Sequence, residues 1–425
     1  MITDAEAAVL AAVDDDATTR LLAELVAVPS VTGSAAESEL QHLLATRLDR
    51  LGLDVDLWPV DLPSLRAMAD YPGEEAPRAE AWGLVGVLPA GSGGRPALAL
   101  AGHVDVVPAG DPDRWASPPF SPTVRDGRLY GRGACDMKAG VAANFAAVAA
   151  IRRSGVALGR PLAMHLLAGE EDGGLGAFAT LKRGHTADAC VITEPTGGRV
   201  VSANAGALTF RIAVPGQAAH GSTRHEGHSA IDAYLLLHQA LSGLEARRNA
   251  RVDPVMAQYP IAYALSVGTV TAGDWASTVP ESLVATGRLG VALDEDVAAA
   301  RAALEECVAK ACGADPWLSR HPAVVTWPGG QFASGRLEPG HPLASLAASA
   351  YRDVTGRTTG EVGAPYGSDL RLYAARQVPT IQLGPGDVRV AHATDEHVCL
   401  TDLHQITRVV ALLAVRLCGT VEQDR

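Results

Sequence analysis

The chain has 425 residues, is 48% hydrophobic and 20% charged, and carries a formal net charge of -13. That apolar share supplies a sizeable core and excludes wholesale disorder, and the length suits roughly two or three domains. The acidic balance excludes nucleic acid as a partner, because gripping a phosphate backbone needs basic surface, and lysine occurs only at Lys138, Lys182 and Lys310.

The opening segment, MITDAEAAVLAAVDDDATTR, has acids where an export signal needs bases. No apolar run approaches the roughly 18 residues of a membrane span. A cytoplasmic location without membrane contact is the expectation. TTRLLAELVAV and ESELQHLLATRLDRLG carry the 3.6-residue apolar spacing of helices. LDVDLWPV and AWGLVGVLP read as strands, separated by the polar loop SLRAMADYPGEEAPRAE, which has no assigned role. RPALALAG, RPLAMHLLAG and ADACVITEP are short apolar runs between polar breaks, as in strands buried on both faces. KAGVAANFAAVAAIRRSG is an alanine-rich helix with a glycine stop. This alternation predicts an α/β domain with a mostly parallel sheet. The six cysteines are scattered without a CxxC pair and read as reduced thiols.

After residue 204 the texture changes. LTFRIAVPG, the helix HSAIDAYLLLHQALSGLEARRN, AYALSVGTVTAG, SLVATGRLGVAL, the helix EDVAAARAALEECVAKACG and AVVTW give a β-α-β-β-α-β order, the signature of a ferredoxin-like unit. The first texture then returns with PLASLAASAYRDVTG, VPTIQLG and TDLHQITRVVALLAVRL. The expected organisation is a catalytic α/β domain (1–204 and 331–425) interrupted by an inserted α+β domain (205–330).

Ligands of open α/β sheets bind beyond the carboxyl ends of the strands, and here each strand end carries a polar residue. LALAG leads to His103 and Asp105, LAMHLLAG to Glu170, Glu171 and Asp172, ACVIT to Glu194, and TIQLG after a short loop to AHATDEH with His392. Asp136 lies in GRGACDMKAG, where a helix opens. Carboxylates and imidazoles without thiolates suit Zn, Mn or Co. One catalytic zinc needs three protein ligands, so five first-sphere residues point to two ions. Hydrolases of that kind hold them about 3.5–4 Å apart.

These stretches carry a resemblance. GHVDVVP, WASPPFSPTVRDGRLYGRGACDMKAG, AGEEDGG, TEPT, AAHGS and AHATDEHV run in the order of the M20 metallopeptidase family, which includes acetylornithine deacetylase, succinyl-diaminopimelate desuccinylase and aminoacylase. The resemblance implies a zinc-exopeptidase-like catalytic domain with a ferredoxin-like lid. It implies that His103, Asp136, Glu171, Glu194 and His392 hold two divalent ions, zinc being favoured and cobalt or manganese also suited, with Asp136 bridging them and followed by a cis peptide. Asp105 would orient the His103 ring. Glu170 would be the general base, carrying a proton from the attacking water to the leaving amine. His220 of AAHGS would donate to the oxyanion, from the partner's lid in several relatives, and a homodimer through the lid is implied.

His225, His228 and His397 read as structural, Cys135 as inert, and Glu396 as a partner for a metal-binding histidine. The chain departs from the family at DWASTVPES, where many members carry an Asn, and at the carboxylate-binding Arg. Arg288 falls two residues early, and Gly290 occupies the usual place. A shift of two keeps the same face of a strand, so Arg288 is retained as a substrate residue, together with Ser368 and Asp369 of YGSDLRLY. The expected activity is acetylornithine deacetylase-like removal of an acyl group from a small N-acyl amino acid. A desuccinylase, a dipeptidase or carboxypeptidase on the same fold, and a non-catalytic binding protein are the alternatives.

Overall fold

Leu98–His103 is buried along its whole length, and so is Leu162–Leu167. In the computed structural model, which describes residues 2–91 and 93–421, these two strands lie side by side and parallel. Their side chains alternate between faces, as strand geometry requires. Leu98, Leu100, Leu162, Met164 and Leu166 point into one apolar cluster, while Ala99, Ala101, Ala163 and Leu167 point into another. The first cluster is roofed by residues of the helices Asp15–Val26, Ala35–Arg50, Lys138–Ser154, Pro342–Thr355 and Leu400–Cys418. The second lies under the short helices Leu175–Lys182 and Leu370–Ala375. Large side chains thus face the thick helical layer, and small ones face the thin layer.

The sheet runs Asp54–Pro59, Trp82–Leu88, Leu162–Leu167, Leu98–His103, Cys190–Ile192, Thr380–Gln382, Val200–Asn204. It is mixed, which corrects the expectation of a mostly parallel sheet. The four adjacent strands from Leu162–Leu167 to Thr380–Gln382 are mutually parallel. The outer pairs, Asp54–Pro59 with Trp82–Leu88, Trp82–Leu88 with Leu162–Leu167, and Thr380–Gln382 with Val200–Asn204, are antiparallel. A run of strand and helix signals carries no direction for strands joined by loops. Parallel neighbours need a crossover such as the helix Lys138–Ser154, and that helix follows Leu98–His103 and precedes Leu162–Leu167. Gly155 closes it in the left-handed region at φ 73°, where a residue without Cβ pays no steric cost.

The chain divides into two units. The first comprises residues 1–203, 336–362 and 369–425, and the second comprises 204–335 and 363–368. The expected boundaries lay at 204/205 and 330/331, and the brief return of residues 363–368 to the second unit has no compositional signal. Within that unit the elements run strand, helix, strand, strand, helix, strand. The sheet order is Leu265–Ala272, Ser282–Val291, Gly206–Pro215, Val324–Thr326, antiparallel throughout. Leu208, Phe210, Ile212 and Val214 alternate inward. They pack with residues of the helices Ala230–Arg248 and Val297–Ala314. No helix among the described residues is long and apolar enough to cross a membrane.

Candidate active site

The four parallel strands end at the same edge of the sheet, and each end leads to a titratable side chain. His103 is the last residue of Leu98–His103, Glu170 and Glu171 follow Leu162–Leu167, Glu194 follows Cys190–Ile192, and His392 follows Thr380–Gln382 by a loop. Asp136 precedes the helix Lys138–Ser154, and the Asp136–Met137 peptide is cis. Close packing draws the last pieces together. A Cβ on Gly140 would meet the Thr193 carbonyl oxygen at 2.0 Å. Only glycine lets the first turn of the helix lie on the residue before Glu194.

The side chains converge. His103 Nε2 lies 3.2 Å from Asp136 Oδ1 and 3.9 Å from Glu194 Oε1. His392 Nε2 lies 3.4 Å from Asp136 Oδ2 and 3.1 Å from Glu171 Oε2. One ligand atom from each of His103, Asp136 and Glu171 fits within a mutual distance of 4.8 Å. Asp136 stands between the two histidines. His103 is 1% exposed, whereas the His392 side chain is 52% exposed, so the cluster opens to solvent on the His392 side.

The electrostatics of this cluster call for positive charge. Burial pushes the Glu170, Glu171 and Glu194 carboxyls above their usual range, and each is raised further by neighbouring acids. Hydrogen bonds to Asp136 and Glu171 push His392 up to about 11. Burial opposes the charge on His103, but Asp136, Glu194 and Asp105 outweigh it and raise the ring well above its usual value. Burial would likewise raise Asp136, yet His103 and His392 hold it low. Four acids within a desolvated pocket repel one another unless cations are shared among them. Oxygen and imidazole donors at these distances fit divalent ions.

Asp105 meets the His103 ring mainly through its main chain. The His103 Nδ1 lies 3.0 Å from the Asp105 main-chain oxygen and 3.6 Å from its carboxylate Oδ1. The carboxylate instead accepts the amides of Glu170 (3.1 Å) and Glu171 (3.3 Å) and the Thr32 hydroxyl (3.0 Å). Glu396 departs from its expected role. It is fully buried and accepts from Arg132 Nη1 (2.6 Å) and from the amides of Gly133 (3.1 Å), Cys135 (2.8 Å) and Asp136 (2.9 Å). It fixes the Asp136 loop, not a histidine ring. Arg132 Nη2 in turn donates to the His392 carbonyl oxygen at 3.3 Å. Sequence reasoning missed Arg132, although GRGACD placed a lone cation four residues before Asp136.

Asp369 is wholly buried in the first unit, and its carboxylate oxygens make no hydrogen bond among the described residues. Burial pushes its carboxyl up to about 6. His220, Arg288 and Ser368 belong to the second unit. Ser368 is 2% exposed. Arg288 is half-buried and donates to the Pro365 carbonyl oxygen at 3.0 Å. His220 is exposed, and its Nδ1 accepts the Ser222 amide at 3.2 Å.

The profile of the family described as Peptidase family M20/M25/M40 matches residues 99–416. The chain belongs to this family. As a member of the M20 metallopeptidases it is a metal-dependent hydrolase of amide bonds, on the branch of its desuccinylase relatives. Succinyl-diaminopimelate desuccinylase from Gluconacetobacter diazotrophicus is 35% identical over 342 residues, covering 76% of this chain and 82% of that protein. N-formyl-4-amino-5-aminomethyl-2-methylpyrimidine deformylase from Halalkalibacterium halodurans is 25% identical over 419 residues, covering 94% and 93%. Among solved structures, a tripeptidase from Staphylococcus aureus superposes with a TM-score of 0.75 at 20% identity over 96% of this chain and 99% of that one. Human carnosine dipeptidase 1 gives 0.73 at 17% identity over 97% and 99%. These likenesses establish the M20 fold.

Proposed function

We propose that this M20 enzyme removes the acyl group from a small anionic N-acyl amino acid, using two divalent ions held by His103, Asp136, Glu171, Glu194 and His392. The observation that carries this reading is the position of Asp136, within reach of both His103 and His392, with Glu194 on one side and Glu171 on the other. Zinc is the ion favoured by this donor set. When bound, the ions would supply charge that polarises the amide carbonyl and acidifies water.

The chain's own residues do the rest. Glu170 takes a proton from the attacking water and delivers it to the departing amine. Burial and its acidic neighbours hold its pKa high, which suits a group that must both accept and return a proton. Asp105 and the Glu170 and Glu171 amides fix the base beside the ligand. His220 has its Nδ1 occupied as an acceptor, so a neutral ring carries its proton on Nε2 and presents a donor for an oxyanion. The Arg288 guanidinium is largely desolvated and donates to the Pro365 carbonyl oxygen, with no carboxylate contact among the described residues, and an Arg fork binds a substrate carboxylate through paired hydrogen bonds. The second unit would act as a lid and as the surface of a homodimer.

The favoured substrates are N-succinyl amino acids, in keeping with the 35% identical desuccinylase, and N-acetylornithine. The test is a hydrolysis panel of N-succinyl-L,L-diaminopimelate, N-acetyl-L-ornithine, N-formyl amines and Xaa-Xaa dipeptides, before and after chelation and with Zn2+ or Co2+ restored. Metal-dependent cleavage of an N-acyl amino acid faster than any dipeptide supports the reading. Faster dipeptide cleavage would make the chain a dipeptidase on the same site.

A further inference from the structure

The loop SLRAMADYPGEEAPRAE carries an arginine in a place where a cation is costly. The Arg78 side chain is 0% exposed, and Nη2 contacts both carboxylate oxygens of Asp172, at 2.7 and 2.6 Å. Asp172 also accepts the amides of Glu75 (3.1 Å) and Ala76 (2.8 Å) from the same loop. Asp172 directly follows Glu170 and Glu171. The turn they occupy is wrapped by this loop from both ends. A Cβ on Gly169 would meet Arg78 Nη1 at 2.4 Å, and one on Gly173 would meet the Gly73 carbonyl oxygen at 2.1 Å. Both glycines have φ in the left-handed range, +64° and +155°. A second acid completes the cradle, since Glu37 accepts the Gly169 amide at 2.7 Å and the Gly33 amide at 2.9 Å.

We infer that Arg78, acting through Asp172, is a positioning residue that sets the Glu170–Glu171 turn over the metal cluster. This rests on the roles proposed above for Glu170 and Glu171. The turn's peptide groups are gripped by carboxyl groups: Asp105 holds the amides of Glu170 and Glu171, and Glu37 holds that of Gly169. Arg78 is the buried counter-charge to Asp172 and stands close enough to Glu37 and Asp105 to be stabilised by both. Without it, the buried Asp172 carboxylate keeps the Glu75 and Ala76 amides but loses its cation, and a stranded buried charge is costly enough to move the turn. Such a move shifts a base and a ligand whose placement must hold to well under an ångström. Arg78 lies outside residues 99–416, the stretch matched by the family profile.

The experiment compares Arg78→Gln, Arg78→Lys and Asp172→Asn with the wild type and with Glu170→Gln. Metal-free protein is titrated with Zn2+ by calorimetry. Turnover is measured on N-succinyl-L,L-diaminopimelate or N-acetyl-L-ornithine, whichever the wild type cleaves, and urea midpoints report folding. The clamp predicts a kcat loss of about 10- to 100-fold with little change in KM, and one Zn2+ site weakened by a similar factor, the usual cost of losing an outer partner of a metal ligand. Arg78→Lys should recover part of both, because it keeps the charge and loses the fork. A lower urea midpoint with unchanged kcat and unchanged Zn2+ binding would reduce Arg78 to a stabilising ion pair and overturn the inference. If Arg78→Gln does not fold, Asp172→Asn, which keeps the side chain's shape, decides by the same two readouts. Wild-type turnover in Glu170→Gln would strike the base assignment instead, while the Zn2+ titration still judges the clamp.

Discussion

Glu396→Gln is the sharpest probe of how the Asp136 loop is held. The substitution keeps the shape of a side chain that is fully buried and removes its charge. Four donors converge on that carboxylate: Arg132 Nη1 and the amide of Gly133 on Oε2, and the amides of Cys135 and Asp136 on Oε1. An amide side chain has one acceptor oxygen. Whichever way it turns, its NH2 faces two donors, and the 3% exposed Arg132 loses its counter-charge. Removing one member of a buried pair costs about 3–5 kcal/mol, a large part of the roughly 5–15 kcal/mol that keeps a protein folded. Urea unfolding of the metal-free protein reads that loss directly. The pair Arg132→Met/Glu396→Gln, which strands no cation, should be less destabilised than the sum of the single variants, by about 0.5–3 kcal/mol. With the Asp136 amide released, Zn2+ affinity should fall about 10- to 100-fold. A loss below about 1 kcal/mol with additive singles and unchanged Zn2+ binding would refute the claim that this carboxylate organises the loop.

Gly140→Ala should cost about 1–3 kcal/mol by overpacking and weaken Zn2+ binding, because the new methyl would meet the Thr193 carbonyl oxygen 2.0 Å away and push Asp136 from Glu194; unchanged Zn2+ calorimetry would contradict this. His165, buried with Nδ1 2.8 Å from the Tyr373 hydroxyl, is held down to about 3 by burial, against about 6.5 in the unfolded chain. The unfolded state therefore binds a proton that the folded state does not. Stability is full above about pH 6.5 and is lost toward pH 3, by up to about 1.4 kcal/mol per pH unit. His165→Gln should flatten that acid limb in urea titrations between pH 6 and 4, and parallel wild-type and variant curves would contradict it. Arg288→Ala should lower kcat/KM sharply on an N-acyl amino acid and little on its carboxamide, and equal losses on both would remove Arg288 from carboxylate binding.

The candidate cluster was legible because it sits where strands stop. His103, Glu171 and Glu194 each follow an apolar run whose burial on both faces is visible as an unbroken hydrophobic stretch, and strand-end chemistry in such sheets is a general rule. The insert was legible for the same reason, since Leu208, Phe210, Ile212 and Val214 alternate at the strand period. What stayed hidden depends on partners far apart in sequence. Nothing near Glu396 announces Arg132, 264 positions away, and nothing near Asp172 announces Arg78, 94 away. Strand direction was hidden too, because pairing of Asp54–Pro59 with Trp82–Leu88 is set by the path of the intervening loop. Asp369 is singled out because YGSDLRLY resembles a substrate-side loop of the family, and its burial is decided by packing around Gly174 and Arg371 that no local pattern encodes.

The central claim, a base beside a two-ion site, is tested most directly by elemental analysis and turnover of Glu170→Gln alongside the wild type after Zn2+ saturation. The account predicts two ions per chain in both proteins and a kcat lowered about 10²–10⁴-fold in the variant. At most one ion per chain in the saturated wild type, or near-normal kcat in a fully loaded variant, would contradict it.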